Sequence, residues 1–230
     1  MKKTVLVTGA AGNLGKSVVD KFVSEGWNVV GTISASHPMS APVSSESKSF
    51  IAADLADEDA ASSLVQTVLD RHSKIDAAVL TVGGFATGSI AETSSDDVLA
   101  QYKLNFETAY NTARPIFLHM KQQGYGRIFL IGSKSGLSSK DGKGTVAYGL
   151  AKSLLFRLAE LMNIEAKGSN VVTTVIVPST IDTPANRKSM PDADVSTWVT
   201  PDAIAATIYF YCSAEADAIR APVIKMYNKG

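Results

Sequence analysis

With 230 residues, 45% of them hydrophobic, the chain is long enough to bury a full core as one domain, 1–230. Its 22 Lys and Arg balance 22 Asp and Glu, and the formal net charge of zero gives no electrostatic reason to expect nucleic acid or a membrane as partner. A single cysteine, Cys212, excludes an intramolecular disulfide and fits a reducing compartment, so a cytoplasmic location is expected.

Thr4 to Val7 reads as a buried strand, and the apolar stretch there is too short and too soon broken by glycine to be a secretory leader. Gly9, Gly12 and Gly15 mark a turn, followed by a helix over Ser17 to Glu25 with Val18, Val19, Phe22 and Val23 on one face. Asn28 to Ile33 is a second strand. Ser34 to Ser49 is a polar, serine-rich loop with Pro38 and Pro42, expected to be mobile. Phe50 to Ala53 gives a third strand, Glu58 to His72 a helix, and Ala77 to Val82 a fourth strand ending at Gly83-Gly84.

Ser95 or Asp96 is expected to cap a long helix reaching Gln123, with a kink at Pro115. Arg127 to Ile131 is a fifth strand, Tyr148 opens another long helix, and Val171 to Val177 is a sixth strand. Thr200-Pro201-Asp202 starts a helix to Ser213, and Val223 to Tyr227 reads as a last strand. Alternating strands and helices predict a single-domain α/β fold: a Rossmann-like, doubly wound, mainly parallel sheet with helices on both faces. Such sheets bind ligands beyond the carboxyl ends of their strands.

Gly9-Ala10-Ala11-Gly12-Asn13-Leu14-Gly15 stands between a strand and a helix, where backbone amides at a positive helix end can approach a pyrophosphate. Tyr148 and Lys152, four residues apart, share a helix face. An ammonium about 4 Å from a phenolate, at an effective dielectric near 20, attracts it by roughly 4 kcal/mol, enough to pull a phenol well below its usual pKa of about 10. His37, His72 and His119 are scattered without carboxylate or cysteine companions, and no metal site is expected.

Thr8-Gly9 with Gly12 and Gly15, Asp54-Leu55, Asn105, Ser133, Tyr148 and Lys152 together resemble the short-chain dehydrogenase/reductase family over nearly the whole chain. The resemblance implies an NAD(P)-dependent oxidoreductase that transfers hydride to a small carbonyl or imine. It assigns Tyr148 as proton donor, Lys152 as phenolate stabiliser and ribose ligand, Ser133 as donor to the developing oxyanion, and Asn105 as holder of a water. Ser133 could instead be a turn serine and Asn105 a helix-kink residue.

The cofactor set implied is Thr8, Gly9, Gly12, Asn13, Leu14, Gly15, Ser34, Asp54, Leu55, Val82, Gly83, Gly84, Tyr148, Lys152, Pro178, Ile181 and Thr183. Two departures stand out: the family's small members usually show Gly-x-x-x-Gly-x-Gly, and Thr81-Val82-Gly83-Gly84 replaces the usual Asn-Asn-Ala-Gly.

Val177 to Asp194, with the atypical glycine loop and Val82-Gly83-Gly84-Phe85, is similar to the quinonoid dihydropteridine reductase branch. That branch lacks the catalytic serine and asparagine, so Ser133 and Asn105 point to a more demanding substrate than a quinonoid pterin. Gly31 to His37 contains no acid to bind the ribose hydroxyls of NAD, which favours NADP over NAD slightly, with Ser34, Ser36 or His37 as phosphate ligands. Met190 and Trp198 flank the closing segment and are candidates to line a substrate pocket. A homodimer or homotetramer built on the Asn105 and Tyr148 helices is the family expectation, and a catalytically silent NAD(P) sensor or scaffold is the rival of another class.

Overall fold

Among the described residues, β-branched and apolar runs build seven strands, all parallel where they pair. The computed structural model describes residues 2–34 and 44–229, so most of the serine-rich loop, including Ser36, His37, Pro38 and Pro42, lies outside the described residues. The strands are β1 (Thr4–Thr8), β2 (Asn28–Ser34), β3 (Lys48–Ala53), β4 (Ala77–Leu80), β5 (Tyr125–Ile131), β6 (Asn170–Pro178) and β7 (Val223–Met226). Their order is β3-β2-β1-β4-β5-β6-β7, and the direction of winding reverses between β1 and β4.

Successive side chains of a strand point to opposite faces, so each strand feeds two cores. Leu6, Val30, Ala78, Leu80, Ile128 and Leu130 meet α2 (Glu58–His72), α4 (Thr108–Gln123) and α6 (Val146–Glu165) on one face. Val5, Val7, Val29, Val79 and Phe129 meet α1 (Asn13–Ser24) and α8 (Pro201–Phe210) on the other. Cys212, 1% exposed, closes the second core just beyond α8. This is the doubly wound α/β architecture expected from the alternation. Among the described residues, no helix is long and apolar enough to cross a membrane.

The helix expected from residue 95 to 123 is divided. Helix α3 (Ser95–Tyr102) gives way to a π turn at Lys103–Glu107 before α4 resumes, and α4 runs through Pro115. The cap is Ser94 rather than Ser95 or Asp96: Ser94 accepts from the Asp97 amide while the Asp97 carboxylate accepts from Ser94 N. Strand β4 stops at Leu80, two residues early, because Thr81 turns back to bond Thr8 through both its amide and its hydroxyl. Two short helices go beyond the sequence reading, α5 (Lys134–Leu137) and α7 (Pro184–Ser189).

Candidate active site

The turn after β1 is shaped by glycine geometry. Gly12 N donates to Gly9 O at 2.9 Å, and Gly12 stands at the N-cap of α1 with no side chain covering the helix end. A Cβ on Gly15 would fall on the Gly9 carbonyl oxygen, so only glycine lets α1 start this close to the loop. Gly9, Gly12, Asn13, Leu14 and Gly15 line a cleft of about 420 Å³ with Ser34, Val82 and Gly83. Exposed backbone amides at a positive helix end, held at the point where the sheet reverses, fit the pyrophosphate of a dinucleotide.

A second cleft of about 680 Å³ shares Leu14, Thr81 and Gly83 with the first and continues past Ser133, Tyr148 and Lys152 to Pro178, Ile181, Thr183, Met190 and Trp198. Ser133 follows β5 and N-caps α5, its Oγ accepting from Gly136 N at 3.0 Å. That bond occupies an acceptor site and leaves the hydroxyl proton free to donate within the cleft that Ser133 and Tyr148 line together. The turn-serine role and a place in the cleft are thus held by one side chain.

Lys152 is buried, and its Nζ donates to the Ile131 carbonyl at 2.7 Å, 5.8 Å from the centre of the Tyr148 ring. Burial pulls its ammonium down to about 8. Burial pushes the Tyr148 phenol up, and the Ser133 hydroxyl beside it offsets part of that rise. The expectation that the lysine charge draws the phenol down is therefore corrected: desolvation dominates, and the ammonium is directed to a main-chain carbonyl. A phenol so placed keeps its proton near neutral pH, the state needed to donate one.

Asn105 sits on the π turn and is fully buried behind the cleft. Its Oδ1 accepts from Gly84 N at 3.1 Å, and its Nδ2 donates to Gly84 O at 3.0 Å and Gln101 Oε1 at 2.9 Å. This carboxamide fixes the exit of β4. A Cβ on Gly83 would stand 2.6 Å from Asn105 Oδ1 and 3.1 Å from Lys152 Nζ, so Gly83 is the space through which these two side chains approach each other.

The remaining expected residues divide. Thr8 is buried and bonded to Thr81, Leu55 is buried behind Val82, and exposed Asp54 accepts from Ala56 N at 3.0 Å; these three stand behind or beside the clefts. Thr183 caps α7 through Asn186 N, and Asn186 Nδ2 donates to Ile181 O at 2.8 Å. Sequence reading gave no role to Thr32, whose hydroxyl accepts from Gly9 N at 3.2 Å, and named Phe85 only within a motif; Phe85 packs edge-on against Tyr148 with ring centres 5.1 Å apart. Thr32 carried no signal beyond strand propensity, whereas the place of Phe85 directly after Gly83-Gly84 was a signal that could have marked it.

The fold and the continuous cleft across its switch point define a dinucleotide-binding α/β oxidoreductase. The family model described as short chain dehydrogenase matches residues 3–194, and the chain belongs to that family. It is accordingly an NAD(P)-dependent oxidoreductase.

A dihydropteridine reductase of Dictyostelium discoideum is 30% identical over 224 residues, covering 95% of this chain and 90% of that protein. A cyclic-di-GMP-binding biofilm dispersal mediator protein of Escherichia coli (strain K12) is 29% identical over 194 residues, covering 84% and 79%. Among solved structures, ElxO with NADP bound superposes with a TM-score of 0.88 at 22% identity, covering 98% of this chain and 97% of that one, a likeness of fold.

Proposed function

We propose that the protein reduces a small carbonyl or imine with NAD(P)H, Tyr148 delivering the proton. The observation that carries this reading is that Ser133, Lys152 and a Tyr148 phenol whose burial keeps it protonated line one cleft. The bound nicotinamide supplies the hydride. Gly9, Gly12, Asn13, Leu14, Gly15, Val82, Gly83 and Gly84 hold the cofactor along the two clefts; Pro178, Ile181 and Thr183 close over its reactive end. Ser133 donates to the oxygen or nitrogen on which charge develops, as Tyr148 protonates it. Lys152 holds the ribose and returns a proton toward the tyrosine, and Asn105 keeps the β4 exit in register with both.

NADP is the preferred cofactor in this reading. Thr32, Ile33 and Ser34 bring no carboxylate to the nucleotide cleft, and Ser34 lines it, so a 2′-phosphate meets hydroxyl rather than like charge. A homodimer or homotetramer is supported by Leu99, Leu104, Leu150, Leu154, Leu161 and Ile164, apolar yet exposed on α3, the π turn and α6.

A quinonoid dihydropterin is the second reading for the substrate, favoured by the Dictyostelium relative and the likeness of residues 177–194 to that branch. NADH and NADPH oxidation with quinonoid dihydropterin and a panel of aldehydes, ketones and imines, for wild type and Tyr148→Phe, is the test. Cofactor binding without turnover of any probe, or full carbonyl activity in Tyr148→Phe, overturns the mechanism. Pterin turnover indifferent to Ser133→Ala favours the second reading.

A further inference from the structure

The residues that follow β7 touch both walls of the reactive cleft. On one wall, Lys134, next to Ser133, holds its Nζ 4.4 Å from the centre of the Tyr227 ring. On the other, Ser179 Oγ donates to Tyr227 O at 3.1 Å, and the Asn228 carboxamide donates to Ser196 O at 3.1 Å and Trp198 O at 3.0 Å. Ser179, Thr197 and Trp198 line the cleft themselves.

Asn228 has φ 51°, in the left-handed region that few residues other than glycine adopt, and asparagine tolerates it best. That backbone carries the amide to two carbonyls of the same turn. An outlier of this kind persists where surrounding contacts hold it, and here the contacts end on the substrate wall.

We propose that Asn228 is a positioning residue for the reductase site. By holding the 196–198 turn through two carbonyls, it sets how far Thr197 and Trp198 stand from Ser133 and Tyr148, and so the width available to the substrate. The nucleotide cleft shares no residue with this contact. The inference rests on the reductase reading of the cleft.

Asn228→Gly keeps the left-handed backbone and removes the amide. Asn228→Asp keeps size and shape but turns a donor into an acceptor facing two carbonyl oxygens. Hydrogen exchange of the full-length variants is expected to quicken about ten-fold in peptides spanning residues 194–199, where Trp198 N and Val199 N are bonded, with residues 9–15 unchanged.

With 4-nitrobenzaldehyde and quinonoid dihydropterin as probes, KM rises about ten-fold in both variants while kcat and the NADPH Kd, read by fluorescence titration, stay within about two-fold. Unchanged exchange at 194–199, full function in Asn228→Asp, or parallel losses of NADPH affinity, KM and melting temperature each overturn the proposal. If wild type turns over neither probe, the reductase reading of these substrates fails, while the exchange result still decides whether Asn228 holds the wall.

Discussion

Lys152 is a charge that the fold buries at a cost, and replacing it with methionine exposes that cost. Its pKa falls from 10.5 to about 8 on burial, so between those values the unfolded chain holds a proton that the folded protein has lost. Stability gained from this group therefore rises with pH across that window, and below about 8 the penalty is present in full. At about 1.36 kcal/mol per pK unit, the interval from 10.5 to about 8 amounts to about 3 kcal/mol.

Lys152→Met escapes that penalty but strands the Ile131 carbonyl, which Lys152 Nζ meets at 2.7 Å; that loss, about 1–3 kcal/mol, does not vary with pH. The readout is thus the difference in urea unfolding free energy between the two proteins, taken at several pH values. Variant minus wild type, taken with its sign, is expected to fall by about 2.5 kcal/mol between about pH 7 and about pH 10. Cys212, pushed up to about 12, works in the opposite direction above 9 because its unfolded thiol ionises first. It is common to both proteins and cancels in the difference. A signed difference that stays flat, or rises with pH, would refute the account of Lys152 as a desolvated cation. The variant is expected to be inactive throughout.

Tyr148→Phe should lower kcat for carbonyl probes by roughly 10²–10⁴ with NADPH affinity retained, measured by steady-state kinetics beside fluorescence titration. Ser133→Ala should cost about 10²–10³ in kcat and, through the lost cap on α5, about 1 kcal/mol in urea unfolding. Gly15→Ala should abolish measurable NADPH binding, because the new methyl lands on the Gly9 carbonyl and moves the start of α1. Gly83→Ala should depress kcat more than NADPH affinity, since its Cβ presses Asn105 and Lys152 apart, and pre-steady-state hydride transfer would register the difference.

Regular elements were legible where one physical signal dominates. Val5, Leu6 and Val7 read as a buried strand because apolar residues fill both of its faces, and the helix read over Glu58 to His72 keeps both bounds in the structure. The tight turn after β1 was legible because three glycines between a strand and a helix mark one, and Gly12 N closes it on Gly9 O. What stayed hidden depends on tertiary contacts. The π turn is one extra residue accommodated when Asn105 reaches Gly84, which helical periodicity does not encode. Ser94 outcompeted its neighbours as a cap because Asp97, not its own propensity, completes the box. The direction of the Tyr148 shift reversed because spacing along a helix says which side chains share a face, and nothing about how much water is removed from them.

Cys212 gives this enzyme a property unrelated to catalysis. A thiol whose pKa is about 12 is almost wholly protonated in any cellular fluid, and at 1% exposure it offers neither thiolate nor access to an electrophile. Peroxide or alkylating stress that silences exposed thiols leaves this sulfur untouched in the folded chain. Modification at this sulfur instead records each excursion to an opened state, making the chain's one cysteine a native clock for its unfolding.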